Sequence, residues 1–398
     1  MNKSINDLVR IGSAESRLII GLMSGTSLDG LDIALCEFSG SGLGTQVNVI
    51  QYKTVSYNST LKSALKLISS KQTVFLEDVT LLNDYLGDFY ADIVLECLED
   101  WSVDVKDVDL IASHGQTIYH APKTQHGKEQ YPNATLQIGD GDHIAFKTGI
   151  ITVSDFRQKH IAAGGEGAPL SVYGDYLLFS DEHEHRVLLN IGGISNFTYL
   201  PATKSKEAVL STDVGPGNTL MDQFVQRQFT GHAYDSDGLI ASQGAVNRLL
   251  LDQLLKDSFF DRSYPKTTGP EVFSLNYLDE IMKDKRLAGI SDEDILATLS
   301  AFTVSGIVSG IHHCIPIGIS FSLYLSGGGM HNTFLVKQLE EQLGIIVQST
   351  AELNIDPDAK EAVLFALLAN ECIGREGNNY PITSGLLSVA MGKISLPR

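Results

Sequence analysis

The chain has 398 residues, of which 43% are hydrophobic and 19% are charged, and its formal net charge is −19 at pH 7. This length exceeds what one hydrophobic core usually organises, so we expect two domains of ordinary globular composition. The strong excess of acidic residues argues against nucleic acid or an anionic membrane as a partner, because both are polyanions.

The distribution of cysteines and apolar residues indicates a cytoplasmic protein. The four cysteines are scattered without paired spacing, which is typical of a reducing compartment. Residues 1–16 are polar and mixed in charge, and they lack the apolar core of a signal peptide. No uninterrupted apolar run approaches the roughly 18–20 residues that span a bilayer, so we expect no membrane segment.

The first half of the chain alternates strands and helices. A strand that begins at Arg17 breaks into Gly, Ser and Thr near residue 25 and then resumes, which predicts a hairpin whose turn exposes backbone N–H groups. A long helical stretch follows. A short strand then ends in a polar block that contains His114 and Gln116, and two more strands come after that block. The predicted helical stretch covers residues 60–100, and the predicted strands cover 108–112, 134–138 and 150–153.

The second half repeats this plan. A second glycine-broken hairpin contains Gly192 and Gly193, and a later strand breaks into glycines at residues 327–329. Between them, a strand that ends in Asp213 leads into a helix. The predicted helices cover residues 219–229, 238–256, 274–285, 291–313, 332–343 and 358–374. Strand and helix alternate in both halves, which predicts a duplicated α/β architecture.

Four glycine-rich turns lie at predicted strand ends, where backbone N–H groups and helix dipoles favour phosphate. One such turn could equally be a plain tight turn, whereas four indicate a phosphorylated ligand. Asp29, Asp32 and Asp213 add carboxylates near the expected phosphates. Because Mg²⁺ prefers a few carboxylate and water oxygens, we expect it there, with Asp29 and Asp213 as ligands.

Residues 20–32, which read IGLMSGTSLDGLD, resemble the signature of the anhydro-N-acetylmuramic acid kinase family. Eight later segments are similar to further blocks of that family in the same order, and the resemblance extends from about residue 17 to 396. These segments are residues 113–117, 155–157, 163–170, 190–196, 213–218, 268–273, 326–329 and 358–362.

The resemblance implies the fold of the actin, hexokinase and Hsp70 superfamily, which is an α/β fold with two ribonuclease-H-like domains and a nucleotide cleft between them. We expect residues 1–150 plus about 385–398 to form the N-terminal domain and residues 151–384 to form the C-terminal domain. The family suggests a possible homodimer.

The resemblance also implies an unusual reaction of ATP and Mg²⁺ with a 1,6-anhydro sugar from peptidoglycan. Water opens the internal acetal of 1,6-anhydro-N-acetylmuramic acid, and the freed O6 takes the γ-phosphoryl group, which gives N-acetylmuramic acid 6-phosphate. By motif match, His114, Gln116, Arg157 and Glu271 line the sugar pocket. The γ-phosphate would face Gly25, Thr26, Ser27, Leu28, Asp29, Gly30, Leu31 and Asp32. The rest of the nucleotide would contact Asn190, Gly192, Gly193, Asp213, Gly215, Gly217, Asn218, Gly327, Gly328 and Gly329.

The chain departs from the family at His160, where an aspartate usually serves as the general base. A neutral histidine can accept a proton, and its unperturbed pKa of about 6.5 suits a base near neutrality. We therefore expect His160 to take this role, with Arg157 as a partner for the lactyl carboxylate or a phosphate. Two alternatives stay open: Asp155 or Asp29 supplies the carboxylate, or the substrate is another anhydro sugar.

A second departure is Glu166, where the family more often has glutamine, and a third is a longer loop at residues 378–385. Two other functions share the fold. One is a kinase for another anhydro sugar, such as levoglucosan. The other is a nucleotide-binding regulatory protein without catalysis, since fold alone does not fix function. The blocks around His114, Asp155 and Glu166 favour a compact polar sugar pocket and therefore the kinase.

Overall fold

A computed structural model describes residues 3–202, 209–269, 271–374 and 389–398. The chain forms two compact units: unit 1 comprises Met1–Phe179 with Ala359–Arg398, and unit 2 comprises Ser180–Asp358. Unit 1 has seven strands, which are β1 (Ser16–Ser24), β2 (Gly30–Ser39), β3 (Gln46–Ser56), β4 (Leu110–Ala121), β5 (Ala134–Ile138), β6 (Ile151–Ser154) and β12 (Lys393–Ser395). Its helices are α1 (Lys3–Ser13), α2 (Ser59–Ile68), α3 (Leu76–Asp100), α4 (Lys123–His126), α5 (Gly141–Thr148), α6 (Phe156–Ala162), α7 (Ser171–Phe179) and α13 (Lys360–Ile373).

Unit 2 is built in the same way from five strands and five helices among its described residues. The strands are β7 (Arg186–Ile191), β8 (Ile194–Leu200), β9 (Leu210–Pro216), β10 (Ser322–Ser326) and β11 (Val347–Ser349). The helices are α8 (Thr219–Gln228), α9 (Arg248–Leu254), α10 (Leu275–Met282), α11 (Asp292–Cys314) and α12 (Thr333–Leu343).

The two sheets share one topology. In unit 1 the order is β12-β6-β4-β1-β2-β3, with β5 attached to β4, and in unit 2 it is β11-β10-β7-β8-β9. In each, the first three strands form an antiparallel meander. A later strand (β4 or β10) pairs in parallel with the first strand on its other side, and a further strand (β6 or β11) pairs in parallel with that one. This arrangement confirms the predicted α/β class with two ribonuclease-H-like folds.

Strand β1 is buried along nearly its whole length because helices cover the sheet of unit 1. Gly21 lies at the closest approach of sheet and helix. A Cβ at this residue would lie 1.9 Å from the carbonyl oxygen of Ala362 at the start of α13. The missing side chain therefore lets α13 pack directly on β1, close to the hairpin that follows it.

Helix α11 forms the centre of unit 2. It begins at Ser291, whose side chain accepts from the Asp294 N–H, and its first turn is acidic while His312 and His313 lie in its last turn. Both features stabilise a helix through its dipole and its unpaired N–H groups. By length and composition it is the one described helix that could span a membrane, but 78% of its most apolar stretch is buried inside the protein. Its apolar length therefore serves the core.

The observed unit boundaries differ from the predicted ones at 150/151 and 384/385. Strand β6 begins at Ile151 and pairs with β4 and β12, so residues 151–179 continue unit 1. Helix α13 packs on β1, β2 and β4, which brings the chain back into unit 1 at Ala359. The predicted boundary at 385, like the loop at residues 378–385, lies outside the described residues.

Two predicted helices are shorter than expected. The stretch 60–100 divides into α2 and α3, with Ser70 between them at φ +56°. The stretch 238–256 is α-helical only from Arg248 to Leu254. Before it, the chain forms short 3-10 turns, where the Asp235 carboxylate accepts the N–H groups of Ile240 and Ala241. Local side-chain bonds of this kind compete with a helix.

Candidate active site

Gln116 on β4 braces the glycine-rich hairpin between β1 and β2. Its Oε1 accepts from the hydroxyl of Ser24 at 2.5 Å, and its Nε2 donates to the carbonyl of Gly25 at 3.1 Å. The hydroxyl of Tyr57 donates to Ser24 at 2.7 Å, which extends the buried network. Gln116 is fully buried. Its amide therefore positions the hairpin, although the sequence predicted contact with the sugar.

The hairpin exposes only part of the predicted phosphate segment. Thr26, Ser27 and Asp29 are exposed and Gly25 is half-buried, so these four residues form the tip. The side chains of Leu28 and Leu31 belong to the core of unit 1. The other two residues are bound within the sheet. A Cβ at Gly30 would lie 2.4 Å from the carbonyl oxygen of Val55, and Asp32 accepts from the hydroxyls of Tyr52 and Thr54.

His114 and Arg157 form a polar pair beside this hairpin. Arg157, on α6, donates from Nε to Nε2 of His114 at 3.0 Å and from Nη1 to the carbonyl of Gly167 at 2.7 Å. Burial, and then the Arg157 charge, hold the pKa of His114 well below its usual range, so this imidazole is neutral. Burial lowers the pKa of Arg157 to about 10, which leaves it cationic at neutral pH.

His160 lies on α6 one turn after Arg157, and it is 1% exposed. The backbone N–H of Gly167 donates to its Nδ1 at 2.9 Å. The lone pair of the neutral ring is therefore on Nδ1, and Nε2 carries the proton. Because a general base needs an available lone pair, this geometry does not support the predicted role of His160 as the base.

The two alternative carboxylates are each paired with a lysine. Asp155 starts α6, and its carboxylate contacts Nζ of Lys393 on β12. Asp29 at the hairpin tip lies 3.8 Å from Nζ of Lys62, and 78% of its side chain is exposed. The ion pair of Asp155 joins the start of α6 to strand β12 within unit 1, which is a structural role.

Glu361, which was not among the predicted site residues, lies in the first turn of α13. Partial desolvation raises the pKa of Glu361 although solvent reaches its side chain, while Arg157 opposes the rise and Asp32 adds to it. Its neighbour Lys360 pairs with Asp175 at 2.8 Å. Glu361 therefore joins the charged groups around Arg157. Its place in the segment 358–362 was the available signal.

In unit 2 the three glycine-rich segments meet at one place. The N–H of Asn218 donates to the carbonyl of Gly192 at 2.7 Å, and the N–H of Gly217 donates to that of Gly193 at 3.0 Å. Cβ atoms would make impossible contacts here: one at Gly327 would lie 2.5 Å from Oδ1 of Asn190. Gly215, Gly328 and Gly329 belong to the same segments. The convergence places glycine backbone beside the N-terminus of α8, which is a favourable place for an anion.

Asp213 and Thr268 lie beside these segments. Asp213 accepts from the N–H of Thr268 at 2.9 Å, and burial raises the pKa of its carboxyl to about 6 although this bond lowers it. The hydroxyl of Thr268 is buried and has no hydrogen-bond partner among the described residues. A desolvated carboxylate suits a hard cation, which prefers oxygen ligands, and the unpaired hydroxyl of Thr268 offers a further oxygen in the same segment.

The predicted sugar residues divide between the units. His114, Gln116 and Arg157 lie in unit 1, and Glu271 lies in unit 2, where it is exposed in the turn from Gly269 to Val272. The predicted metal ligands Asp29 and Asp213 also lie in different units. Among the described residues, no group of three or more His, Cys, Asp or Glu side chains is arranged to hold a metal ion.

Comparison with known proteins gives one consistent result. The family described as anhydro-N-acetylmuramic acid kinase matches residues 17–396. A relative of that name from Pseudoalteromonas atlantica is 51% identical over 402 residues, which cover 100% of both chains. Another from Pseudoalteromonas translucida is 48% identical and covers 99% of both chains, and one from Caldanaerobacter subterraneus is 42% identical and covers 98% of this chain and 99% of its own. The chain therefore belongs to the anhydro-N-acetylmuramic acid kinase family.

Proposed function

We propose that this chain converts 1,6-anhydro-N-acetylmuramic acid, water and ATP into N-acetylmuramic acid 6-phosphate and ADP, a step in the recycling of cell-wall sugar. One observation carries the proposal. Gln116 joins the exposed hairpin tip to β4, and on the same strand His114 is bonded to the cationic Arg157. A turn suited to phosphate and a cationic side chain suited to an acidic sugar are thus both bonded to strand β4.

Arg157 is the proposed partner of the lactyl carboxylate. Two of its N–H groups are bonded to His114 and to Gly167, which fixes the plane of the guanidinium. Its other N–H groups can then meet a carboxylate in a defined orientation, which a flexible ammonium group would not provide. Glu271 of unit 2 stays a proposed sugar contact on the basis of its motif alone.

The nucleotide phosphates are proposed to lie against the glycine segments. In unit 2 these are Asn190 to Gly193, Gly215 to Asn218 and Gly327 to Gly329, where backbone N–H groups and the α8 dipole favour negative charge. In unit 1 the γ-phosphate is proposed to meet the backbone of Gly25 to Asp29. Leu28 could contribute only its main chain, because its side chain is in the core.

The group that fits Mg²⁺ best is Asp213. Its carboxylate is desolvated and accepts from the N–H of Thr268, a residue whose hydroxyl has no partner among the described residues. Asp29 could hold the same kind of ion through water, since it is exposed. When bound, Mg²⁺ would neutralise charge on the phosphates. The chain itself supplies the oriented N–H groups and Arg157.

The proposed reaction balances without a further reactant. Oxygen of water bonds to C1 of the sugar as a base removes one of its protons, and the C1–O6 bond breaks. The electron pair of that bond stays on O6, which attacks the γ-phosphorus, and the bond from the γ-phosphorus to the bridging oxygen of ADP breaks. One proton is finally released to water from the base.

The two other functions considered are not favoured. The curated relatives match this chain over its full length, and they are named for one sugar. We also infer a cytoplasmic location. All four cysteines are free, which is typical of a reducing compartment. A homodimer stays a proposal that rests on the family alone.

The proposed function is tested by a mass spectrum of the product after the protein is mixed with 1,6-anhydro-N-acetylmuramic acid, ATP and Mg²⁺. We expect a species heavier than the sugar by one water and one phosphoryl group. Release of ADP without sugar, or no new species while levoglucosan is phosphorylated, would contradict the proposal.

A further inference from the structure

The loop between α6 and α7 holds Glu166 in a backbone that is fixed on both sides. The carbonyl of Gly165 accepts from Nδ2 of Asn133 at 3.0 Å. The carbonyl of Gly167 accepts from Arg157, and its N–H donates to His160. Glu166 itself is half-buried, and its carboxylate has no hydrogen bond or ion pair with another described residue. The backbone of this loop is therefore held by hydrogen bonds, and the loop carries one carboxylate that has no partner among the described residues.

His160 contributes to this arrangement by packing as well as by its hydrogen bond. A Cβ at Gly165 would lie 2.2 Å from Cε1 of the His160 ring, so the imidazole lies directly against the backbone that precedes Glu166. The ring also meets Tyr173 edge to face, with the ring centroids 6.0 Å apart. A buried ring held in this way fixes the position of its neighbours.

The other carboxylates considered for the base have partners. Asp155 is paired with Lys393, and Asp29 lies near Lys62 at the hairpin tip. The lone pair of His160 is occupied by Gly167. Of these carboxylates, that of Glu166 is therefore the one without a hydrogen bond or ion pair to another described residue, and it lies in the segment that is hydrogen-bonded to His160 and Arg157.

We propose that Glu166 is the general base of the hydration step and that His160 is a positioning residue that holds its loop. The carboxylate of Glu166 takes one proton from water while the water oxygen bonds to C1 and the C1–O6 electron pair passes to O6. That proton later leaves Glu166 for bulk water. This inference rests on the proposed function, because it assigns a residue to one step of that reaction.

The first test is Glu166→Gln, which keeps the shape of the side chain and removes its basicity. We expect kcat for the anhydro sugar to fall by about 100-fold or more, as is usual when a general base is removed. The affinity for ATP, measured by calorimetry, should not change. The matched control is Glu129→Gln, which makes the same change at an exposed residue of unit 1 and should leave kcat unchanged.

The second test moves the carboxylate from position 166 to position 160. In the double variant Glu166→Gln with His160→Asp, position 160 carries a base in the same hydrogen-bonded segment, and we expect kcat to recover by about tenfold or more over Glu166→Gln alone. The third variant is His160→Asn, whose Oδ1 can accept from Gly167 but has no basicity. It should retain more activity than Glu166→Gln.

The pH profile separates a base from a positioning residue. A carboxylate base keeps kcat/KM down to about pH 5, whereas an imidazole base loses it below about pH 6.5. We expect the wild-type profile to follow the carboxylate and His160→Asn to leave its shape unchanged. An inflection between pH 6 and 7 that disappears in His160→Asn would overturn the proposal, and so would wild-type kcat in Glu166→Gln.

The failure of this inference is distinguishable from the failure of the proposed function. If the wild-type protein forms no phosphorylated product from the anhydro sugar, the proposed function itself is refuted. If the wild-type protein forms it and Glu166→Gln forms it as fast, only the role of Glu166 is refuted.

Discussion

The guanidinium of Arg157 donates from Nε to Nε2 of His114 at 3.0 Å, while its Nη1 donates to the carbonyl of Gly167 at 2.7 Å. One side chain thus links β4, α6 and the loop that carries Glu166. The centroid of the His114 ring lies 4.6 Å from that of Phe365 on α13, so the pair is also held from the helix side. The sugar pocket proposed for unit 1 depends on this link.

Replacing Arg157 with lysine should therefore be costly although the charge is kept. A single ammonium group cannot reproduce the two directed bonds of the guanidinium, and the buried Nε2 of His114 would lose its donor. We expect kcat/KM for the sugar to fall by about 100-fold and the free energy of unfolding to fall by about 1–3 kcal/mol. Steady-state kinetics and urea unfolding measure both effects.

The matched control is Arg10→Lys. Arg10 is exposed and lies 3.5 Å from Asp109 in an ion pair at the surface. Such a change should alter the free energy of unfolding by less than about 0.5 kcal/mol. Wild-type kinetics in Arg157→Lys would contradict the role given to the guanidinium.

Gln116→Glu should loosen the hairpin without changing the size of the side chain. An ionised carboxylate cannot donate to the carbonyl of Gly25, so two acceptors would face each other where Nε2 now donates at 3.1 Å. We expect KM for ATP to rise and the free energy of unfolding to fall by about 1–3 kcal/mol at pH 8. Gln125→Glu, on the exposed helix α4, is the control. Equal KM in the two variants would refute the bracing role.

Gly165→Ala should displace His160. The added Cβ would lie 2.2 Å from the buried imidazole, so the ring or the loop must move, at a cost of about 1–3 kcal/mol. Because Glu166 is the next residue, kcat should fall together with stability. Gly44→Ala is the control, since a Cβ at Gly44 meets no atom within 4 Å. Unchanged kcat in Gly165→Ala would show that the loop tolerates the movement of this ring.

Asp213→Asn should change stability and metal affinity in opposite directions. Burial raises the pKa of Asp213 from 3.8 to about 6, so the folded state binds more protons than the unfolded state between these values. The contribution of the Asp213 carboxyl to the free energy of unfolding is therefore fully present below about pH 4 and is lost as the pH rises through 6. Asparagine does not ionise, so the variant does not lose this stability as the pH rises, and its side-chain oxygen can still accept from the N–H of Thr268. We expect Tm at pH 7.5 to rise by about 2 °C, with no rise at pH 4, and Mg²⁺-dependent ATP binding to weaken.

The matched control for that experiment is Asp222→Asn. Burial, and then the charge of Asp235, raise the pKa of Asp222 to about 6 as well. Its replacement should give the same dependence of Tm on pH and leave Mg²⁺-dependent ATP binding unchanged. Equal loss of metal-dependent binding in both variants would argue that Asp213 is not a ligand.

The duplicated α/β architecture was predictable because each half repeats a glycine-broken hairpin followed by alternating strands and helices. The meeting of the segments around Gly193, Gly217 and Gly327 was predictable for the same reason, since each lies where a strand ends. The unit boundaries were not predictable. They depend on the pairing of β6 with β12 and on the packing of α13 against β1, which join residues far apart in sequence.

The same holds for the candidate site: its motifs were recognisable in the sequence, but the contacts of their side chains were not. The blocks containing His114 and Arg157 were recognisable as motifs, and the structure joins them by a hydrogen bond. The direction in which a side chain points was not readable from a motif, so Gln116 proved to face the hairpin and Leu28 the core. The N–H of Gly167 donates to Nδ1 of His160, which argues against the predicted role of His160 as the base. Only the folded loop brings this N–H to the ring.

The most direct test of the proposed reaction is to run it in ¹⁸O-labelled water and to fragment the product in a mass spectrometer within minutes. Unlabelled product incubated in the same water for the same time corrects for exchange at C1. We expect one heavy oxygen in the fragment that contains C1 and none in the phosphoryl group, because water attacks the sugar while O6 attacks phosphorus. Heavy oxygen in the phosphoryl group of the product would contradict it.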